Sequence, residues 1–228
     1  MDKPIHTNQP IPEPAEVILI DKPFGWTSFQ AVKKAKYVLK AKKIGHAGTL
    51  DPLATGLLIV CTGKKTKTIE SIQAQEKEYT GTFFIGETTP SFDLETETDQ
   101  TFPTDHITDD LIRKTAGTFI GEQDQTPPLF SAVKIDGKRA YEIARKGGTA
   151  EIKSKRITIY EFEIIRIEMP EVDFRIVCSK GTYIRSISRD FGLALQSGSY
   201  LKALRRTRIG DYRIQDAVDP RDVKFTTI

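Results

Sequence analysis

The stretch GHAGTLDPLATGLL, residues 45–58, holds one acidic side chain, Asp51, among three glycines and a proline, and it leads into the apolar run LLIVC. Glycines allow backbone angles and close contacts that residues with a Cβ resist, and Pro52 fixes the backbone angle after the acid. The stretch therefore predicts a loop that presents Asp51 and is anchored on a strand buried on both faces. A simple turn, in which Asp51 bonds only its own backbone, would use the same residue types.

Outward from this loop, the hydrophobic patterns predict a mixed α+β fold with a mostly antiparallel sheet and flanking helices. Thr27 and Gln30 fit a capping box at the start of a helix, and Phe29, Val32, Ala35 and Leu39 recur at helical spacing within it. We expect helices over about 28–40, 108–116, 139–146 and 183–196, and strands over about 17–21, 57–61, 79–85, 156–168, 172–179 and 204–208.

The net charge of +3 is unevenly distributed along the 228 residues. Residues 33–67 contain nine lysines and one acid, and residues 180–213 contain eight basic residues and two acids. Residues 87–124 contain ten acids and two basic residues. Basic segments of this kind are typical of a surface that binds a polyanion, although lysines on solvated helix faces give the same count.

The composition is that of a globular protein, and we expect one domain over residues 17–228. The proline-rich residues 1–16 predict a disordered tail, and the polar residues from about 86 to 110 predict an exposed acidic loop. Cys61 and Cys178 fall in predicted strands and are expected to be small buried side chains of a cytoplasmic protein. The absence of any apolar run of about 20 residues argues against a membrane span.

The loop at 45–58 resembles the signature of the TruB family of pseudouridine synthases, and further matches follow in the order found in that family. They are VILIDKPFGWTS at 17–28, KEY at 77–79, SAVKIDGKRAYEIARKG at 131–147, CSKGTYIRSI at 178–187 and LRR at 204–206. Together these segments cover most of residues 17–210. The resemblance implies the pseudouridine synthase fold with a central RNA-binding cleft, and an insert at about 124–153 that faces the RNA.

The resemblance also implies an active site. Asp51 would be the catalytic nucleophile, and Tyr79 would stack on the flipped uracil and serve as the base for its C5 proton. Arg185 would pair with Asp51, because a guanidinium keeps a buried carboxylate charged and oriented.

Five supporting positions follow from the same resemblance. His46 would contact the RNA, and Tyr183 and Leu204 would form walls of the pocket. Lys22 and Pro23 would support the active-site loop. We expect no cofactor, because the isomerisation is redox-neutral and the chain has no P-loop or dinucleotide fingerprint. We expect no metal, because no Cys or His lies at a ligand spacing from His46.

The function that the resemblance implies is the isomerisation of uridine-55 (tRNA numbering) in the T-loop of tRNA, by a monomer that binds the T-arm stem-loop. An RNA-binding or RNA-folding module without essential catalysis is one alternative, and a synthase acting on another RNA, including the RNA-guided archaeal and eukaryotic branch, is a second. A glycosidase-like hydrolase would need a second carboxylate beside Asp51. The sequence stops soon after DAVDP, so we expect no C-terminal PUA domain.

Overall fold

The computed structural model describes residues 15–131, 133–135 and 137–221. All but the last two residues of the tail expected over 1–16 lie outside this range. In the first half of the chain the elements are β1 (Val17–Lys22), α1 (Ser28–Leu39), β2 (Ile44–Ala47), β3 (Thr55–Thr62), a 3-10 helix (Gly63–Thr68), α2 (Ile69–Ala74), β4 (Lys77–Ile85), β5 (Glu87–Thr88), β6 (Gln100–Thr101) and α3 (Asp109–Thr118).

In the second half they are β7 (Gly121–Gln125), β8 (Lys134–Ile135), β9 (Lys138–Arg139), α4 (Ala140–Ala144), β10 (Lys155–Glu168), β11 (Glu171–Cys178), α5 (Ile184–Ala194), β12 (Ser199–Ile209), β13 (Tyr212–Arg213) and a 3-10 helix (Ile214–Asp216). Nine of the described strands form one sheet with the central order β1-β3-β12-β4-β11-β10-β7. Its pairs are antiparallel except the short β3–β12 contact, so the predicted α+β architecture is confirmed.

Strand β3 is buried along nearly its whole length, as its apolar run predicts. Leu58 and Val60 pack towards α1, whereas Leu57, Ile59 and Cys61 pack on the other side towards α2. A one-residue slip of this strand would exchange its two apolar rows and disturb the packing on both faces. Strand β3 therefore gives the loop that precedes it a fixed base.

Helix α1 begins with the predicted capping box, in which Gln30 N donates to Thr27 Oγ1 over 3.1 Å and Thr27 N donates to the Gln30 side chain. The predicted apolar stripe was partly wrong, because Phe29 is 72% exposed and Ala31 takes its place on the buried face. The buried residues of α1 are small, so the helix packs close to the sheet at the end that faces the Asp51 loop.

The segment from about 86 to 110 is not the uniformly exposed loop that its acidic composition predicts. It contains the β5–β6 hairpin, and Thr89, Ser91 and Asp93 are buried within it. Ser91 Oγ and Thr89 Oγ1 both donate to the Asp93 carbonyl oxygen, over 3.1 and 2.7 Å. These two hydrogen bonds fold the segment into a turn. The turn places the charged side chain of Asp93 in the protein interior.

A cluster of aromatic rings fills the main core beneath the centre of the sheet. Phe83 stacks on Phe174 with ring centroids 4.1 Å apart, and Phe162, Phe191 and Phe119 surround this pair. Aromatic pairs of this kind add about 0.5–1.5 kcal/mol each beyond their burial. The core supports β4, β11 and α5, which carry residues of the site described below.

Both cysteines, Cys61 and Cys178, are free and buried, as predicted. Burial raises the pKa of the Cys178 thiol to about 12. Within residues 15–221, apart from the two gaps, no helix has the length and apolarity needed to cross a bilayer.

The close approach of β4 and its sheet neighbour β12 depends on Gly81. A Cβ at this position would lie 2.4 Å from the Ala203 carbonyl oxygen and 2.7 Å from the Phe174 ring. We therefore expect Gly81→Ala to lower the free energy of unfolding by about 1–3 kcal/mol, the usual cost of overpacking. Urea denaturation measures this change.

The matched control is Gly117→Ala in α3, where a Cβ would meet no atom within 4 Å. That substitution should raise stability by about 0.5–1 kcal/mol, because alanine favours the helix over the unfolded chain. Equal free energies of unfolding for Gly81→Ala and the wild type would contradict the close contact between β4 and β12 at Gly81.

Candidate active site

The Asp51 loop is held from one side by the end of β1 and the start of α1. Lys22 is fully buried, and its Nζ donates to the carbonyl oxygens of Pro52, Trp26 and Pro23, over 3.3, 2.6 and 3.1 Å. Burial lowers the pKa of Lys22 to about 8, while the charge of Asp51 acts in the opposite direction. Lys22 thus ties the loop to β1 through its bond to the Pro52 carbonyl oxygen.

Ser28, the first residue of α1, holds the residue that precedes Asp51. Its hydroxyl donates to the Leu50 carbonyl oxygen over 3.0 Å and accepts from the Leu50 amide over 2.9 Å. Both polar groups of the Leu50 backbone are satisfied by one buried side chain, so this point of the loop has little freedom. Ser28 lies in the quoted stretch 17–28, but nothing in the sequence of that stretch distinguished it from the other residues.

Asp51 forms an ion pair with Arg185, the second residue of α5. Arg185 Nη2 lies 2.9 Å from Asp51 Oδ2, and the Asp51 side chain is 46% exposed. The guanidinium contacts Asp51 through one nitrogen and does not form a two-bond fork with it. Its other nitrogens point to different partners, and the Asp51 carboxylate keeps one side open to the pocket.

Asp93 is the second carboxylate beside Arg185, with Oδ2 3.5 Å from Arg185 Nε. Arg185 also donates to the carbonyl oxygens of Ser91 and Phe130, over 3.1 and 2.8 Å. Burial raises the pKa of Asp93, and the charge of Arg185 opposes this rise. One buried guanidinium therefore joins α5 to the Asp51 loop, the acidic segment and the beginning of the insert.

Tyr79 lies on β4 and is buried beside β12, where its register partner is Arg206. Burial raises the pKa of the Tyr79 phenol, and the neighbouring Arg206 guanidinium opposes this shift through charge and hydrogen bonding. The phenol is therefore protonated at neutral pH and can both donate and accept a hydrogen bond.

Leu204 lies on β12 and lines a pocket together with Asp51, Asp93 and Arg185. The apolar Leu204 and the charged groups thus face the same space, an arrangement that suits a base with a polar edge and an apolar face. Leu53 and Ala54, from the loop itself, complete the pocket wall near Asp51.

Tyr183 immediately precedes α5, where the Gln125 side chain bonds both its amide and its carbonyl, over 2.8 and 3.1 Å. The Lys155 ammonium lies over its ring, 4.5 Å from the centroid. Burial and the charge of Asp51 raise the pKa of the Tyr183 phenol. The Tyr183 phenol is therefore neutral at physiological pH.

His46 is on β2, at the entrance of the Asp51 loop and opposite Val60 of β3. Burial lowers the pKa of its imidazole, so the ring is neutral at physiological pH. Within the described residues, no three His, Cys, Asp or Glu side chains converge in the way that metal ligands do.

Besides Ser28, sequence reasoning missed Asp93 and Arg206. Asp93 is one of ten acids in residues 87–124, and nothing in that composition distinguishes it from its exposed neighbours. Arg206 could have been found from the sequence, because it is the last residue of the quoted segment LRR. Only Leu204 of that segment was proposed as a site residue.

Comparison with known proteins places this arrangement in a family. Residues 36–184 match the TruB family pseudouridylate synthase N-terminal domain. The protein named tRNA pseudouridine synthase B from Flavobacterium johnsoniae is 64% identical over 90% of this chain and 92% of its own length. The protein of that name from Bacteroides fragilis is 54% identical over 90% of this chain and 91% of its own length.

Two solved structures share the fold. The chain matches a structure of a Cbf5-Nop10-Gar1 complex with a TM-score of 0.68 and 32% identity over 86% of its length. It matches an H/ACA RNP bound to a substrate RNA containing 2′-deoxyuridine with the same TM-score and 28% identity over 90% of its length. In both cases this chain spans about half of the matched chain, 49% and 51%.

The buried Arg185–Asp93 contact leads to a prediction for catalysis. Asp93→Asn should lower kcat about 10–100-fold, because Arg185 loses one of two carboxylates and its guanidinium is free to rotate away from the geometry seen at Asp51. RNA affinity should change little, since Asp93 is buried.

Single-turnover kinetics on a uridine-containing RNA, together with filter binding, separate the two effects. Asp99→Asn serves as the control, because Asp99 belongs to the same acidic segment and accepts only an exposed hydrogen bond from Thr88. A kcat for Asp93→Asn equal to that of the control would show that Asp93 does not orient Arg185.

The family match covers about two thirds of the chain, and both curated relatives align along nearly their full length. The structural neighbours share the same architecture. This chain belongs to the TruB family of pseudouridylate synthases.

Proposed function

We propose that this protein isomerises uridine to pseudouridine in tRNA, with the uridine of the T-loop (position 55) as its target. The observation that carries this proposal is the ion pair between Asp51 and the buried Arg185 in a pocket that Leu204 also lines. The two curated relatives are named tRNA pseudouridine synthase B, which supports tRNA as the substrate class.

The reaction breaks the bond between N1 of the base and C1′ of the sugar, turns the base, and forms a bond between C5 and C1′. The proton on C5 is then lost and N1 gains one, so the product is an isomer of the substrate. A carboxylate serves as nucleophile, or starts proton removal from the sugar, if it is charged and open on one side. Asp51 meets both conditions, because Arg185 holds one oxygen and almost half of the side chain is exposed.

The target base must leave the helical stack before it reaches Asp51, at a cost of a few kcal/mol. Leu204 and Tyr79 offer an apolar wall and an aromatic ring that offset this cost. We assign Tyr79 the further role of accepting the C5 proton while its neutral phenol gives its own proton to N1 of the turned base, so that the protons balance. We assign His46 and Tyr183 to substrate binding. Lys22 and Pro23 hold the loop in this account, through the contacts with Pro52 and Trp26.

The RNA backbone requires a basic surface, and α1 with the 3-10 helix after β3 supplies one. The lysines at 33, 36, 40, 64, 65 and 67 are all exposed. Such a surface binds phosphates largely independently of sequence and brings the stem of a stem-loop close to the pocket. We propose that the protein acts on the T-arm stem-loop as a monomer in the cytoplasm, where a reducing environment suits two free cysteines.

The test is Asp51→Asn, which keeps the size of the side chain and removes its charge. We expect pseudouridine formation in a T-arm stem-loop to fall by at least about 10⁴-fold, the scale of a lost nucleophile. RNA affinity should stay close to that of the wild type, because Asp51 opposes rather than attracts phosphate. Tritium release from RNA labelled at C5 of uridine measures the reaction.

The exposed Asp105→Asn is the matched control and should keep full activity. Substantial turnover by Asp51→Asn would contradict the nucleophile assignment. A wild-type protein that binds the stem-loop but releases no tritium would favour an RNA-binding module without catalysis.

A further inference from the structure

Arg206 is 1% exposed, and it is the largest fully buried side chain among the described residues. An arginine stays charged in proteins, and a buried charge is costly unless it is paired or hydrogen-bonded. In the described ranges no carboxylate oxygen lies within 4 Å of this guanidinium. Its neighbour Arg205 forms a two-bond ion pair with Asp21. The sequence LRR therefore contains two arginines in contrasting environments.

The partners of Arg206 are backbone carbonyls on both sides of the Asp51 loop. Its Nη2 donates to Gly48 O over 3.0 Å, three residues before Asp51, and its Nε donates to Leu57 O over 2.8 Å, six residues after it. One planar group thus joins the two stems of the loop. A planar guanidinium fixes the relative position of two acceptors better than an ammonium does.

The backbone of Arg206 holds the same loop. Its register partner in the parallel β3–β12 contact is Gly56, and a Cβ on Gly56 would lie 2.3 Å from the Arg206 carbonyl oxygen. The φ of Gly56 is +101°, a conformation that glycine adopts without strain. The main chain of β12 and the loop stem are therefore in direct contact at the point where the Arg206 side chain turns towards Gly48.

The other side of Arg206 faces Tyr79. The two residues are cross-strand partners in the β4–β12 pairing, so the Arg206 side chain lies beside Tyr79. Its positive charge opposes the rise in the pKa of the Tyr79 phenol that burial causes. Arg206 therefore lies next to Tyr79 and is hydrogen-bonded to the Asp51 loop.

We propose that Arg206 is a positioning residue that sets the placement of Tyr79 relative to Asp51, because its guanidinium binds both stems of the Asp51 loop and its side chain lies beside Tyr79 on the neighbouring strand. The inference rests on the proposed function and adds a residue to its site. Arg206 touches no reacting atom in this account, so its loss affects the rate and not the capture of RNA.

Arg206→Lys keeps the charge, but an ammonium cannot reproduce the planar group that binds the Gly48 and Leu57 carbonyl oxygens together. The single-turnover rate with a T-arm stem-loop should fall about 10–100-fold, the range for a misplaced catalytic group, while the Kd for the RNA stays within about threefold. Arg205→Lys is the matched control, because Arg205 is adjacent in the chain and its guanidinium pairs with the Asp21 carboxylate rather than with the loop carbonyls. It should resemble the wild type in both measurements.

A second readout reports on Tyr79 itself. The protein is labelled with ¹³Cζ-tyrosine, and the Tyr79 resonance is assigned as the signal that is lost in Tyr79→Phe. This resonance should shift in Arg206→Lys and stay in place in Arg205→Lys. If Arg206→Lys does not fold, ¹⁵N-arginine labelling of the wild type and of Tyr79→Phe replaces it, and the Arg206 Nε resonance should move between these two proteins.

The proposal is overturned if the rate of Arg206→Lys, measured well below its Tm, is within threefold of the wild-type rate. It is also overturned if neither the Tyr79 nor the Arg206 resonance responds to the change of its partner. A wild-type protein that forms no pseudouridine would count against the proposed function, and the NMR comparison would still decide whether Arg206 holds Tyr79.

Discussion

Arg185 carries a permanent positive charge into the interior, and the protein must balance that charge with groups drawn from distant parts of the chain. Asp51 and Asp93 supply the negative charge, and the carbonyls of Ser91 and Phe130 fill the remaining positions. Removal of one partner of a buried pair is costly, because the other charge is left without compensation. The acidic segment, the insert and the Asp51 loop are therefore arranged around the first turn of α5.

A second buried guanidinium, that of Arg206, acts on the other side of the Asp51 loop. Lys22 and Ser28 complete the support, so that the backbone from Gly48 to Leu57 is bound by side chains of β1, α1 and β12. Preorganised groups accelerate a reaction because no reorganisation is needed when charge develops. The glycines that made this loop conspicuous in the sequence serve the same end, since Gly56 admits the backbone of β12 at close range.

The sequence predicted the architecture well where local patterns are strong. The capping box at Thr27, the buried run of β3 and the strand expected over about 172–179 each depend on neighbouring residues, and each is present in the structure. Asp93 was not predicted, because its burial depends on Arg185, a residue 92 positions away in the numbering. Phe29 was misassigned for a related reason. Helical spacing identifies a possible face, whereas the neighbouring strand decides which face is buried.

The central claim is that Asp51 acts on a uridine taken out of the RNA stack. It is tested most directly by a crystal structure of the wild-type protein with a T-arm stem-loop that carries 5-fluorouridine at the target position, since fluorine replaces the proton that the reaction must remove. The account predicts the target base in the pocket beside Leu204, with an Asp51 carboxylate oxygen bonded to the nucleotide or within about 3.5 Å of it. A target base that remains stacked, or one that Asp51 does not contact, would contradict the account.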